Sequence, residues 1–165
     1  MRVPVEKIER VVMSHWHSDH TGGLLSFLKG RTAPCIIDVH PDQPIARGIA
    51  PGPTHDTVVC MLAHDPTVEQ IEQLGGIVEM HSQGHAVAGN TVWVSGEIPR
   101  VTPYEPGILG GMRFFRDEKS GQGKWKAEQV CGSSSRHSID TTKHIMDERY
   151  ALVDVVGKGL VIFSA

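Results

Sequence analysis

The chain has 165 residues, of which 39% are hydrophobic, and a formal net charge of −3. That length suits one domain, residues 1–165, with a real core. The charge excludes the basic excess that nucleic-acid binding draws on, and no apolar run approaches a membrane span.

Cys35, Cys60 and Cys131 are odd in number and lack paired spacing, so they read as reduced thiols rather than a disulfide framework. Residues 1–6 hold no apolar signal region, which predicts a cytoplasmic chain.

Residues 4–10 read as the first turns of a short helix, and Val11-Val12-Met13 as a buried strand. The stretch that follows, Ser14-His15-Trp16-His17-Ser18-Asp19-His20-Thr21-Gly22-Gly23, sets three imidazoles and one carboxylate within six residues. Leu24, Leu25, Phe27 and Leu28 then recur at helical spacing, and Gly30 stands where a helix ends. The cluster is therefore expected on a strand-to-helix loop.

On an extended segment, residues two apart project to one side, so His15 and His17 are expected to present nitrogens to one point. Asp19 and His20, at the turn, would face a second point nearby. Neutral imidazole and carboxylate are ligands suited to zinc, and equally to manganese or iron. With ten histidines in the chain, a polar surface loop is the bland alternative. Scattered histidines, however, seldom form a His-x-His-x-Asp-His string beside two glycines, and the string favours metal.

Further along, residues 33–40 predict a strand with Ile36, Ile37 and Val39 in the core. Pro41, Pro44, Gly48, Pro51, Gly52 and Pro53 predict a long irregular loop over residues 41–56. Asp65 to Gly75 reads as a helix capped by Asp65, with Pro66 first, Val68, Ile71 and Leu74 buried, and Gly75 as the stop. Residues 77–80 and 91–95 read as strands, joined through a turn containing Gly84, Gly89 and Asn90. Residues 99–139 show little periodicity beyond a strand near Met112 to Phe115. Residues 150–156 and 160–164 predict a hairpin across Gly157-Lys158-Gly159. Ser133-Ser134-Ser135 with His137 and Asp140 is no hydrolase triad, because no Gly-x-Ser-x-Gly elbow accompanies it.

His15-x-His17-x-Asp19-His20 followed by Gly22-Gly23 resembles the signature of the metallo-β-lactamase fold superfamily of metal-dependent hydrolases. Residues 94–100 (Val-Ser-Gly-Glu-Ile-Pro-Arg), 147–152 (Asp-Glu-Arg-Tyr-Ala-Leu) and 157–162 are similar to the branch containing dihydropterin-linked ribofuranosylaminobenzene phosphate synthase-like proteins. The likeness spans nearly all of the chain.

The resemblance implies an α/β fold, an αββα sandwich of two sheets with outer helices. It implies His15, His17, Asp19 and His20 as ligands of up to two zinc ions, with Mn2+ or Fe2+ as substitutes. Asp19 would also be catalytic, by orienting a metal-activated water, and Glu97 and Arg100 would bind substrate. The implied activity is hydrolysis of a small-molecule ester-like or phosphoester substrate, with neither nucleic acid nor membrane as partner.

Relatives carry strands before the motif and continue past residues 159–165 into a Cys-Ser-His-like segment with further metal histidines. The chain is thus expected to be truncated at both ends and its sandwich incomplete. His40, His81, His85, His137 and His144 are chemically able to substitute for the missing ligands. The rival reading is a non-catalytic metal-binding or interaction protein of the same fold. A homo-oligomer, or a partner chain that completes the fold, would reconcile the two.

Overall fold

The computed structural model describes residues 3–52, 57–99, 107–117, 119–129 and 145–164. Contacts divide the chain into two compact units. The first comprises Met1–Gln43, Asp65–Ile98 and Asp147–Ala165; the second comprises Pro44–His64 and Pro99–Met146. The expected irregular loop, from Pro44 onward, and residues 99–139 fall in the second unit.

In the first unit, β1 (Arg10–Val12), β2 (Cys35–Val39) and β5 (Gly76–Met80) form a parallel sheet in the order β1-β2-β5. Only a three-residue 3-10 turn, Val5–Lys7, forms where the helix before β1 was expected. The helices are α1 (Ser18–Thr21), α2 (Leu24–Lys29) and α3 (Val68–Gln73). Alternation along β2 turns Cys35, Ile37 and Val39 into one cluster with Met13, Trp16, Leu24, Leu28 and Ile71, so α2 and α3 cover that face of the sheet.

The cap of α3 is Thr67, not Asp65. Thr67 and Gln70 exchange side-chain and backbone hydrogen bonds as a capping box, while Asp65 accepts the Thr21 hydroxyl at 2.5 Å. Gly75, at φ +83°, ends the helix as expected.

An antiparallel sheet in the order β11-β10-β7-β6 completes this unit: β6 (His85–Val87), β7 (Val92–Val94), β10 (Ala151–Val155) and β11 (Gly159–Phe163). The β10–β11 hairpin lies where expected, whereas β6 was missed because its three residues look like turn sequence. Two sheets with helices beside the parallel one are thus present. A second outer helical layer is not among the described residues.

The second unit is a sheet in the order β4-β3-β8-β9, with β3 (Ala46–Ile49), β4 (Cys60–Met61), β8 (Gly107–Arg116) and β9 (Gly123–Gln129). The expected irregular loop at 41–56 therefore contains a strand. β3 is specified by its pairing with β8 rather than by local pattern: Ala46 to Ile49 register against Phe114 to Gly111. Arg47 and Arg113 are buried on Glu128, an ionic pairing that no spacing in the sequence announces. No helix among the described residues is long and apolar enough to cross a membrane.

Candidate functional site

The three parallel strands end in histidine-bearing segments: His15, His17 and His20 after β1, His40 after β2 and His81 after β5. Carboxyl ends of parallel strands are where ligands of open α/β sheets gather. Past β1 the backbone leaves the sheet at Met13, whose N–H donates to the Asp38 carbonyl at 2.9 Å, and reaches α1 through His17, which is extended at φ −126°, ψ 141°. Asp19 and His20 sit within α1.

Trp16 anchors this loop. Its side chain is buried in the core, its indole N–H donates to the His40 carbonyl at 2.8 Å, and its backbone N–H donates to Asp147 Oδ2 at 2.6 Å. The last is a charge-assisted bond, stronger than a neutral one. Arg149 holds the same loop from two residues before β10. Its backbone N–H donates to the Ser14 carbonyl, and Nη2 donates to the carbonyls of Met13 (2.7 Å) and Asp38 (2.9 Å).

With the loop fixed, three imidazoles come together. The His15 ring lies 4.5 Å from that of His17, edge-on, and 4.2 Å from that of His20. Ser14 Oγ is 3.1 Å from His15 Nδ1 and 3.4 Å from His20 Nδ1, so one hydroxyl engages both rings and ligation would fall to Nε2 of each. His20 Nε2 and Asp19 Oδ2 stand 3.5 Å apart. Two donors each about 2.1 Å from a tetrahedral ion are separated by roughly 3.4 Å, so this pair fits shared ligation. His15 is buried, His17 half-buried, and Asp19 is the open member. Donor type suits a divalent metal, but among the described residues no three donor atoms of this set lie within 4.8 Å of one another, so it is the rings that gather here rather than an assembled ligand shell.

His40 has a different environment. Its Nδ1 accepts the Asp42 N–H at 3.1 Å, which leaves the proton of the neutral ring on Nε2. That nitrogen is buried without a hydrogen bond, 3.3 Å from Glu97 Oε1. Burial lowers the pKa of His40 against the opposing pull of Asp147, Glu97 and Asp42. In this tautomer Nε2 carries the proton and offers no lone pair.

Glu97 leads out of β7, its N–H donating to the Ser82 carbonyl at 3.0 Å. Gly96 before it has no room for a side chain, since a Cβ would come 2.6 Å from the Ser82 oxygen. Arg100, Cys131, Ser133 to Ser135, His137, Asp140 and His144 lie outside the described residues.

Among the described residues, the metal-capable group whose donor atoms all fall within 4.8 Å of one another is Asp38, His81 and His85. Asp38 accepts from Arg149 Nη1 at Oδ1 (2.9 Å), and from Arg10 and His85 at Oδ2 (2.8 Å each). Burial would raise the Asp38 pKa, but the bonds from His85 and Arg149 outweigh it and hold the carboxyl below its usual range.

Sequence reasoning missed Asp38 and gave no role to Asp147 and Arg149, which it met only within the resemblance over residues 147–152. For Asp38 a signal existed, because an acid inside Ile36-Ile37-Asp38-Val39 has to be ion-paired if the strand is buried. A cavity of about 340 Å³ opens beside the motif, lined by Ser14, His20, Arg149, Tyr150 and Phe163 among others.

The metallo-beta-lactamase superfamily model matches residues 1–48, the stretch that holds the motif. The crystal structure of a metal-dependent hydrolase of the beta-lactamase superfamily superposes with a TM-score of 0.54 at 15% identity, over 92% of this chain and 44% of that one. The likeness is one of fold, and the chain spans less than half the length of that neighbour. No curated protein matches.

Proposed function

We propose that the chain is a metal-dependent hydrolase of a small-molecule ester-like or phosphoester substrate. The observation that carries this reading is the gathering of the His15, His17 and His20 rings, with Asp19 beside His20, at the carboxyl end of β1. The superfamily match over the same residues supports it.

His15, His17, Asp19 and His20 would hold the ions, of which zinc is the expected species and Mn2+ or Fe2+ substitutes. In that place the residues would give a divalent ion the chemistry of polarising an ester or phosphoryl oxygen and lowering the pKa of water toward neutrality. Asp19, the exposed carboxylate of the set, would orient the attacking water by accepting a hydrogen bond from it. Glu97 accepts from a donor on the substrate, and Arg100 pairs its anionic group. The cavity beside His20 is the place for the substrate body. Nucleic acid and membrane have no part in this reading. A second copy or a partner chain would pair along β11, the exposed edge of its sheet.

The test is elemental analysis of the purified chain and of a His15→Ala, His17→Ala variant, together with hydrolysis of bis(p-nitrophenyl) phosphate and p-nitrophenyl acetate. Metal and turnover both lost in the variant are expected. Metal bound without turnover of any ester would favour the non-catalytic metal-binding reading. A folded wild-type chain that takes up no metal would overturn both.

A further inference from the structure

We propose that Asp38, His81 and His85 form a second divalent-cation site, built from different residues than the His15 to His20 cluster, that takes an imidazole-preferring ion such as zinc. It goes beyond the proposed activity, because none of its three donors belongs to the hydrolytic set.

The first argument is a hydrogen count at His85. Its Nδ1 lies 3.2 Å from the Gln83 carbonyl and its Nε2 lies 2.8 Å from Asp38 Oδ2. Both neighbours are acceptors, and a neutral imidazole carries one N–H. One N–H serves only one of the two acceptors: the tautomer with Nδ1–H on the carbonyl turns the Nε2 lone pair toward Asp38, where a proton or a metal ion completes the pair. A metal there leaves His85 neutral and its Nδ1–H anchored on a backbone oxygen, the outer-shell arrangement that metal-bound histidines adopt.

The second argument is His81. Its ring stacks on His85 with centroids 3.9 Å apart and planes 27° from parallel. That stacking brings a ring nitrogen of each imidazole and a carboxylate oxygen of Asp38 within 4.8 Å of one another, close enough for all three to face one ion. His81 Nε2 also lies 3.6 Å from Glu79 Oε2, which offers a further oxygen.

Charge sets the preference for metal. Arg10 bridges Asp38 Oδ2 (2.8 Å) and Glu79 Oε2 (2.7 Å), and Arg149 holds Asp38 Oδ1. Two carboxylates are thus matched by two guanidiniums, and the oxygens alone retain no hard cation. Retention falls to the two imidazoles, which favour zinc, nickel or copper over magnesium or calcium. Asp38 is fully buried while His81 is 36% exposed, so the site has a closed floor and an open side for entry.

The donors come from three elements. Asp38 lies on β2, His81 follows β5, and His85 opens β6, so an ion here would tie the parallel sheet to the antiparallel one.

The experiment titrates ZnCl2, with MgCl2 as control, into the wild-type chain, a His15→Ala, His17→Ala, His20→Ala variant and a His81→Ala, His85→Ala variant, each confirmed as folded by circular dichroism. Bound metal is read by elemental analysis after gel filtration, and the thermal midpoint is followed. About one equivalent of zinc remaining in the motif variant, with a zinc-dependent rise in midpoint that MgCl2 does not reproduce, is expected. Loss of one equivalent from the His81, His85 variant is the complementary result, and it suffices if the motif variant does not fold. Unchanged zinc content in the His81, His85 variant would overturn the proposal and leave the proposed hydrolase standing. Zinc lost only on substitution of His15, His17 and His20 would do the same.

Discussion

Arg149 and Asp38 are joined twice: the guanidinium donates Nη1 to the Asp38 carboxylate at 2.9 Å and Nη2 to the Asp38 backbone carbonyl at 2.9 Å. A third bond, to the Met13 carbonyl at 2.7 Å, makes this residue the tie between β10, β2 and the strand that leads into the histidine motif. Both partners are buried, so the pair is screened little by solvent.

Arg149→Met leaves the Asp38 carboxylate short of a buried partner, and removing one member of such a pair costs about 3–5 kcal/mol. The urea midpoint of the variant should fall accordingly. Arg149→Lys should not rescue it, since one ammonium cannot serve the carboxylate and two carbonyls in that planar arrangement.

The Asp38 carboxyl is held below its ordinary pKa, and the sign of the resulting pH dependence follows from that direction. A carboxylate with a depressed folded pKa contributes stability that is complete above its unfolded value, about 3.9, and is lost as pH falls through the folded value. Denaturation midpoints from pH 6 downward should show the wild type losing its advantage over Asp38→Asn in the acid range. A difference that persists undiminished at the lowest pH would contradict this.

Asp147→Asn keeps the shape but turns the charge-assisted bond to the Trp16 N–H into a neutral one. Outer-shell changes of this kind weaken metal affinity by about 10–100-fold. Zinc titration should place the variant in that range while circular dichroism stays unchanged.

His40 is predicted to be neutral at pH 7 with its proton on Nε2. Long-range nitrogen-proton spectra of the imidazole should show an unprotonated Nδ1, and zinc should leave the ring's nitrogen shifts in place. A large zinc-induced shift at His40 Nε2 would return it to the ligand set.

Gly96→Ala drives a Cβ against the backbone at Ser82 and Gly84, none of which is a flexible side-chain end. The segment carrying Glu97 must then shift. Overpacking of this sort costs about 1–3 kcal/mol, and the thermal midpoint should drop.

The motif and most elements of the first unit are legible in the sequence because their signals are local. Apolar spacing marks α2, a glycine stop marks the end of α3, and the Gly157-Lys158-Gly159 turn marks the last hairpin. A His-x-His-x-Asp-His string is likewise complete within six residues. What escaped was non-local. β3 and β9 exist through pairing with β8, and residues 41–56 read as loop because prolines and glycines frame a strand only four residues long.

The sequence by itself determined that three imidazoles and a carboxylate stand within six residues and that a strand leads into them. Only the tertiary structure decided how they are held: Asp147, 131 positions away, fixes the Trp16 N–H, and Arg149, 111 positions from Asp38, binds both its carboxylate and its carbonyl. It also decided that Asp38, His81 and His85 meet. The reason is that ligand identity is a property of residue type and spacing, whereas a buried charge finds its partner only when separate strands close over it.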